Sequence, residues 1–253
     1  MGTETGRVVG VRGRARRARS MSLAAMTGLL IAAGTMATPT SPAPVAQAGS
    51  VITVTTNMQK IGGPGGCSLQ EAILSANHDS ASFTAPGNDA VVIHSACAAG
   101  SGDDIIELAD DYFPLSGVID DADNEMGPSA TPEITSPVII EGRGALLERA
   151  WIHPMRAFVV GEGGSLDLRE VHVKGFAAKG GDGRDGGGGG LGAGGAIYVH
   201  GGSLLVQWST FEANTATGGN GSSGNQFDRA GGGGGGLGGS GGLGDEHGGG
   251  GGG

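Results

Sequence analysis

Cysteine is almost missing from this chain: Cys67 and Cys97 are the only two among 253 residues. A metal site would want further Cys or His at ligand spacing, and a redox pair would read CxxC. Neither pattern is present, so the pair reads as one structural disulfide closing a loop of about 30 residues. In the chain-entropy picture such a link stabilises by on the order of 3.6 kcal/mol. The six histidines show no HxxxH spacing, and there is no G-x-S-x-G elbow or P-loop. Aromatic residues make up 4% of the chain. Apart from Met21–Ala37 there is no apolar run of membrane-spanning length, so the mature chain is expected to have no membrane span.

Basic residues are also few, 15 against 25 acidic, and they are unevenly placed. Arg12, Arg14, Arg16, Arg17 and Arg19 form a basic opening, Met21–Ala37 is apolar, and Ala46-Gln47-Ala48 is a small-x-small cleavage signal. This is the pattern of a secretory leader, residues 1–48. Arg16-Arg17 leaves open whether export follows the general or the twin-arginine route. Six of the basic and one of the acidic residues lie in the leader, leaving 9 against 24 and about −15 on the mature chain. That charge argues against nucleic acid and anionic lipid as partners.

What is abundant is glycine, 56 residues, and with it an internal repeat. Gly163-Gly164-Ser165-Leu166 recurs as Gly201-Gly202-Ser203-Leu204, and Ala178, Gly180, Gly181 and Gly183 recur as Ala216, Gly218, Gly219 and Gly221, always at an offset of 38. A fixed period points to stacked units. Within the first copy Leu166 and Leu168 alternate, Arg169-Glu170 breaks the phase at a corner, and Val171 and Val173 resume. Leu204, Val206 and Phe211 fall on the places of Leu166, Leu168 and Val173, so all six are expected to point inward in stacked columns. His172 and Trp208 should point outward. Asn214 is read as a turn residue able to join a ladder.

Gly194-Gly195-Ala196-Ile197 resembles the GGAI element, and Phe211-Glu212-Ala213-Asn214 the FxxN element, of bacterial surface proteins related to the chlamydial polymorphic membrane proteins. Upstream, Cys67-Ser68-Leu69-Gln70-Glu71-Ala72-Ile73 with Ala76-Asn77 resembles the CSLREA domain that opens many such chains, with Gln70 where that family usually has Arg. The resemblance covers residues 51–221. It implies an all-β fold: a right-handed, single-stranded parallel β-helix with a short N-terminal capping helix and glycine-rich loops.

Residues 49–100 are read as the N-terminal cap. Val51–Thr56 is its first strand, and Ser68 with Glu71 forms a capping box. Leu69, Ala72, Ile73 and Ala76 make an amphipathic helix that ends near Asn77 and lids the stack. Residues 101–221 carry the rungs, with strands at Ile105–Leu108, Val138–Ile140 and Phe158–Val160 after one at Val91–Ile93. Residues 109–137 read as a long irregular excursion. The tract Gly180–Gly195 is expected to project as a mobile loop that could be shortened at little cost. Residues 222–253 read as a disordered glycine-rich tail of a longer product.

Gly180-Gly181-Asp182-Gly183-Arg184-Asp185 matches half of a calcium-binding nonapeptide, but Gly187 stands where a large apolar residue belongs, so Asp182 and Asp185 are weak candidates and no cofactor is expected. The acidic pairs Asp103-Asp104, Asp110-Asp111 and Asp120-Asp121 read as solvated turns, and no catalytic constellation surrounds them. The reading is therefore an exported, non-enzymatic, adhesin-like scaffold, secreted or at the cell surface or outer membrane, with a surface ligand or host or matrix molecule as partner. The alternative is a polysaccharide-active β-helix, a lyase or glycoside hydrolase, whose catalytic rungs lie outside these residues.

Overall fold

A computed structural model describes residues 48–85, 88–119, 126–223, 234–237 and 240–241. The leader up to Gln47 and Asp120-Asp121 lie outside the described residues, as does most of the tail. Among the described residues the chain is mostly strand, with a single helix. Strand β1 (Ala48–Val54) leads to helix α1 (Leu69–Asn77) and to β2 (Ser82–Ala85) and β3 (Asn88–His94). Four passes follow. They are β4 (Asp103–Leu108) and β5 (Tyr112–Leu115); β6 (Pro137–Glu141) and β7 (Leu146–Arg149); β8 (Phe158–Val160), β9 (Ser165–Arg169), β10 (His172–Lys174) and β11 (Ala177–Lys179); and β12 (Ile197–Val199), β13 (Ser203–Gln207), β14 (Thr210–Glu212) and β15 (Thr215–Thr217).

Each pass adds one strand to the same sheets. One sheet runs β1-β4-β6-β9-β13 and a second β14-β10-β7-β5; β11 pairs with β15 and β12 with β8. All these pairings are parallel; only the β2–β3 hairpin is antiparallel. The registers stack like on like. Ile52, Ile106, Ile140, Leu168 and Val206 form one column, and Phe113, Leu147, Val173 and Phe211 another. Leu166 pairs with Leu204, Leu168 with Val206 and Val173 with Phe211, as the 38-residue offset predicts. Full burial of each such side chain is worth about 1.5–3 kcal/mol.

The columns are not dry throughout. Leu166, Leu168 and Val173 are fully buried, whereas Leu204 and Val206 are 38% and Phe211 43% exposed. Leu204 and Phe211 line one hollow with Ala196, Ile197, Asn214 and Ala216. They keep the register but, among the described residues, have a neighbouring pass on one side only.

The capping box is present: Ser68 Oγ accepts from Glu71 N–H, and Glu71 Oε2 accepts from Ser68 N–H. The helix differs from the expected amphipathic one, being buried from Leu69 through Ala76. Its polar side chains bond within the protein, except that Gln70 Oε1 is left without a partner. Glu71 also takes Lys60 Nζ at 2.6 Å and Gly62 N–H at 2.8 Å, and Gln70 Nε2 donates to the Ala130 carbonyl. Cys67 and Cys97 are disulfide-bonded beside the helix start.

The glycine tract is not a free projection. Gly180 and Gly183 donate to Thr217 and Asn220, while Gly219 and Ser222 donate to Gly190 and Gly187. Partners advance by three residues at a time, the period of a polyproline II helix, whose N–H and C=O groups turn to several sides. The described tail joins in, with Gly181 donating to Gly236, Gly235 to Gly188 and Gly241 to Asp182. Side chains would keep these backbones apart. A Cβ at Gly189 would stand 1.9 Å from the Gly219 carbonyl oxygen, whereas one at Gly188 meets nothing within 4 Å. Shortening the tract would strip these hydrogen bonds, so the expectation of a cheap loop does not hold.

Two predictions follow from this packing. Gly189→Ala should destabilise by about 1–3 kcal/mol, since a backbone must move, while Gly188→Ala should change stability by less than about 1 kcal/mol; urea unfolding of the two variants reads the difference. Val173→Asp, which puts a charge in a closed column, should cost at least about 3 kcal/mol. Phe211→Asp, on the half-open column, should cost roughly 1–2 kcal/mol, not the collapse that a dry column implies; the same assay separates them.

Candidate binding surface

Residues alternate along each strand, so those between the buried columns face outward. On the larger sheet Glu107, Glu141, Arg169 and Gln207 are in register. Arg169 bonds Glu141 at 2.7 Å and also Asp167, Arg143 bonds Glu107 at 2.7 Å, and Gln207 Nε2 donates to Asp167 at 3.0 Å. On the second sheet Lys174 lies between Glu148 (3.5 Å) and Glu212 (4.0 Å), His172 Nε2 is 3.0 Å from Glu212, and the Tyr112 hydroxyl donates to Glu148 at 3.0 Å. Each exposed pair contributes little alone, about 0–1 kcal/mol. Together they hold charged groups at the strand spacing of about 4.8 Å.

The strands reverse at sharp corners. Glu170 and Trp208 hold the same place with φ of 51° and 49°, and Ala213 sits at φ 53° where the preceding pass has Gly175. Left-handed backbone throws the side chain outward; Trp208 is 78% exposed, as its alignment with Glu170 predicts. Asn214 does not join a ladder of like residues, because Phe176 holds the equivalent place. It brackets the preceding corner instead, accepting from Phe176 N–H at 2.9 Å and donating to the Val173 carbonyl at 2.9 Å. In the GGAI element, Gly194 adopts φ 67°, Ala196 accepts from Ala157 N–H, and Ile197 pairs with Phe158 while Gly195 lies against the Thr215 carbonyl.

The acidic candidates scatter. Asp103 is exposed, as are Asp110 and Asp111 in the turn before β5. Asp104 corrects the solvated-turn reading: it is fully buried at a column position shared with Val138, Leu166 and Leu204. Its Oδ1 accepts from Ser50 N–H at 2.8 Å and Ser101 N–H at 2.7 Å. Asp182 is held by Asn220 N–H (2.7 Å) and Lys179 Nζ (2.9 Å), and these two bonds hold its carboxyl below the ordinary range. Asp185 sits at φ 45° in the following turn. No group of three or more metal-ligating side chains converges among the described residues.

One residue that sequence reasoning passed over stands out. Arg156 is 1% exposed, just before the buried run Ala157–Val160. Nε donates to the Ala193 carbonyl at 3.0 Å, Nη1 to the Met126 carbonyl, and the guanidinium lies 5.3 Å over the Tyr198 ring. Burial pushes its pKa below the ordinary value, and the Tyr198 contribution opposes this. Arg156 lines a cavity of about 250 Å³ with His153, Pro154, Lys179 and Asp182. Its only sequence signal is a charge heading an apolar run.

No family model, curated protein or solved structure matches the chain. Among the described residues no helix is long and apolar enough to cross a membrane.

The outward network carries a pH prediction. Burial favours the neutral form of Asp167, but hydrogen bonds from Arg169 and Gln207 outweigh it and depress the pKa. A depressed folded-state pKa gives stability that is present above the unfolded value of about 3.9 and lost as pH falls through the folded value. The urea midpoint should therefore fall between about pH 5 and about pH 3, and Asp167→Asn should flatten that fall.

Proposed function

We propose that the chain is an exported, non-enzymatic scaffold whose passes wind as a right-handed parallel β-helix, presenting its lateral face for binding or display, secreted or at the cell surface. The observation that carries this reading is the stack itself. Successive passes return to the same parallel sheets in register, inward positions are apolar apart from Asp104, and outward positions hold ordered charges. Parallel strands joined by crossovers are right-handed in nearly all folds. The Cys67–Cys97 bond fits an oxidising compartment, and the basic and apolar opening with Ala46-Gln47-Ala48 fits a leader. Binding or display follows from the resemblance to bacterial surface proteins and from a surface rich in fixed polar groups.

Expressed with its leader in a bacterium, the protein should appear outside the cytoplasm with Gly49 as its first residue, without free thiols, and open to protease added to intact cells or recovered from the medium. Cytoplasmic retention with an uncut leader and reduced cysteines would overturn the export reading.

A further inference from the structure

We infer that the pass β12 to β15 is a docking surface for a second copy of this chain, joined edge to edge about a two-fold axis at Leu205. This goes beyond the export reading and does not rest on it. The first observation is an edge left open. Among the described residues β13 pairs only with β9, β14 only with β10, β15 only with β11 and β12 only with β8, so each strand of the pass has one unpaired side. Val199, Leu204 and Val206 are each 38% exposed and Phe211 43%, although the residues they stack on, Val160, Leu166, Leu168 and Val173, are buried. Unpaired strand edges and grouped exposed apolar side chains both mark association sites.

The second observation is charge. Asp167, Arg169 and Glu170 of the preceding pass correspond to Leu205, Gln207 and Trp208, and Glu162 and Lys179 to His200 and Thr217. Glu212 is the only Asp, Glu, Lys or Arg between Ala196 and Thr217. Edge strands ordinarily carry charge or proline that keeps them apart, and β13 has neither. A chain of net charge −10 repels its own copy in general, and this face removes that repulsion locally.

The third observation identifies the copy as occupant. Antiparallel pairing of β13 with itself, centred on Leu205, sets Leu204 against Val206 and Phe211 against Val199 of the second copy. Each of these meetings joins an inward residue to an inward residue. Val199 shares a face with Ile197, which lines the hollow with Leu204 and Phe211. Leu205, outward and 55% exposed, meets itself. Glu212 comes opposite Tyr198, a carboxylate facing a phenol, as Glu148 and Tyr112 already do at 3.0 Å. A patch that matches itself in this way is what a two-fold interface requires. Head-to-tail stacking is blocked, because the sheet's other edge, β1, belongs to a core cluster covered by the buried helix α1.

The test uses the mature, oxidised protein and reads its mass by light scattering and sedimentation across roughly 1–100 µM. A dimer is expected. Leu205→Lys sets like charges face to face and should raise the dissociation constant at least about tenfold, with the circular dichroism unchanged because the side chain points outward. Directly opposed residues have Cβ atoms about 4.5–5.5 Å apart, so Leu205→Cys should give a disulfide-linked dimer under mild oxidation. Ser203→Cys alone should not, because Ser203 faces Gln207; Ser203→Cys mixed with Gln207→Cys should. A monomer throughout the range, a dimer indifferent to Leu205→Lys, open-ended assemblies, or Leu205→Cys cross-linking no better than Ser203→Cys would each overturn the inference. Export is read by the Gly49 terminus and association by mass, so either reading can fail alone.

Discussion

The structure depends on parallel hydrogen bonding between one pass of the chain and the next. No pass has enough inward surface to fold alone; Val138, Ile140 and Leu147 become core only because Leu166, Leu168 and Val173 lie against them in register. A one-residue slip would turn each apolar column outward. Columns and hydrogen bonds therefore specify the same register, which is why three-residue strands such as β10, β11 and β14 can hold. Where a pass has a neighbour on one side only among the described residues, as at Leu204 and Phe211, the same side chains are left half exposed.

That dependence makes the N-terminal side costly to build. Beside β1 the column is covered by α1, and a helix cannot continue a sheet. Buried polar groups there are held by individual hydrogen bonds, with Gln70 Oε1 and Asp104 Oδ2 left over. Glu71 collects Lys60, Gly62 N–H and Ser68 N–H, and Asp104, placed where later passes carry Val138 and Leu166, takes the backbone of Ser50 and Ser101. The glycine layers solve the related problem at β11 and β15. Extended glycine segments hydrogen-bond to several sides and need no inward residue, at the cost of accepting no Cβ at positions such as Gly189 and Gly219.

How much of this could be read from the residues follows from the same physics. The pairing of 163–183 with 201–221 was legible because those two passes have equal turns. Between β6–β7 and β9–β10 the register shifts, Pro137 lying on Ser165 but Leu146 on His172, and that two-residue difference hides the repeat. Strands β5 and β7 went unseen because Tyr112–Leu115 contains a proline and Leu146–Arg149 ends in charges. The helix, its capping box and the cysteine pair were legible because each is local chemistry. The glycine layers were not: composition records the freedom that glycine loses on ordering, not the close approach that repays it. Nor was burial of Asp104 or Arg156, since a charged letter carries no sign of the carbonyls and amides that will surround it.

Stacking accounts for nearly every inward side chain, and so says little about function. An apolar residue in a column is there because its neighbour is, and the outward ladders follow from alternation and charge balance. The residues that stacking does not explain are the informative ones. Asp104 is accounted for by the amides it accepts at the covered end. Arg156 is different: two carbonyls and a tyrosine ring hold its guanidinium, yet none of these neutralises it, and it borders a cavity that also carries Lys179. Among the described residues Arg156 and Asp104 are the two fully buried charges that no ion pair balances, and each keeps one polar atom without a partner.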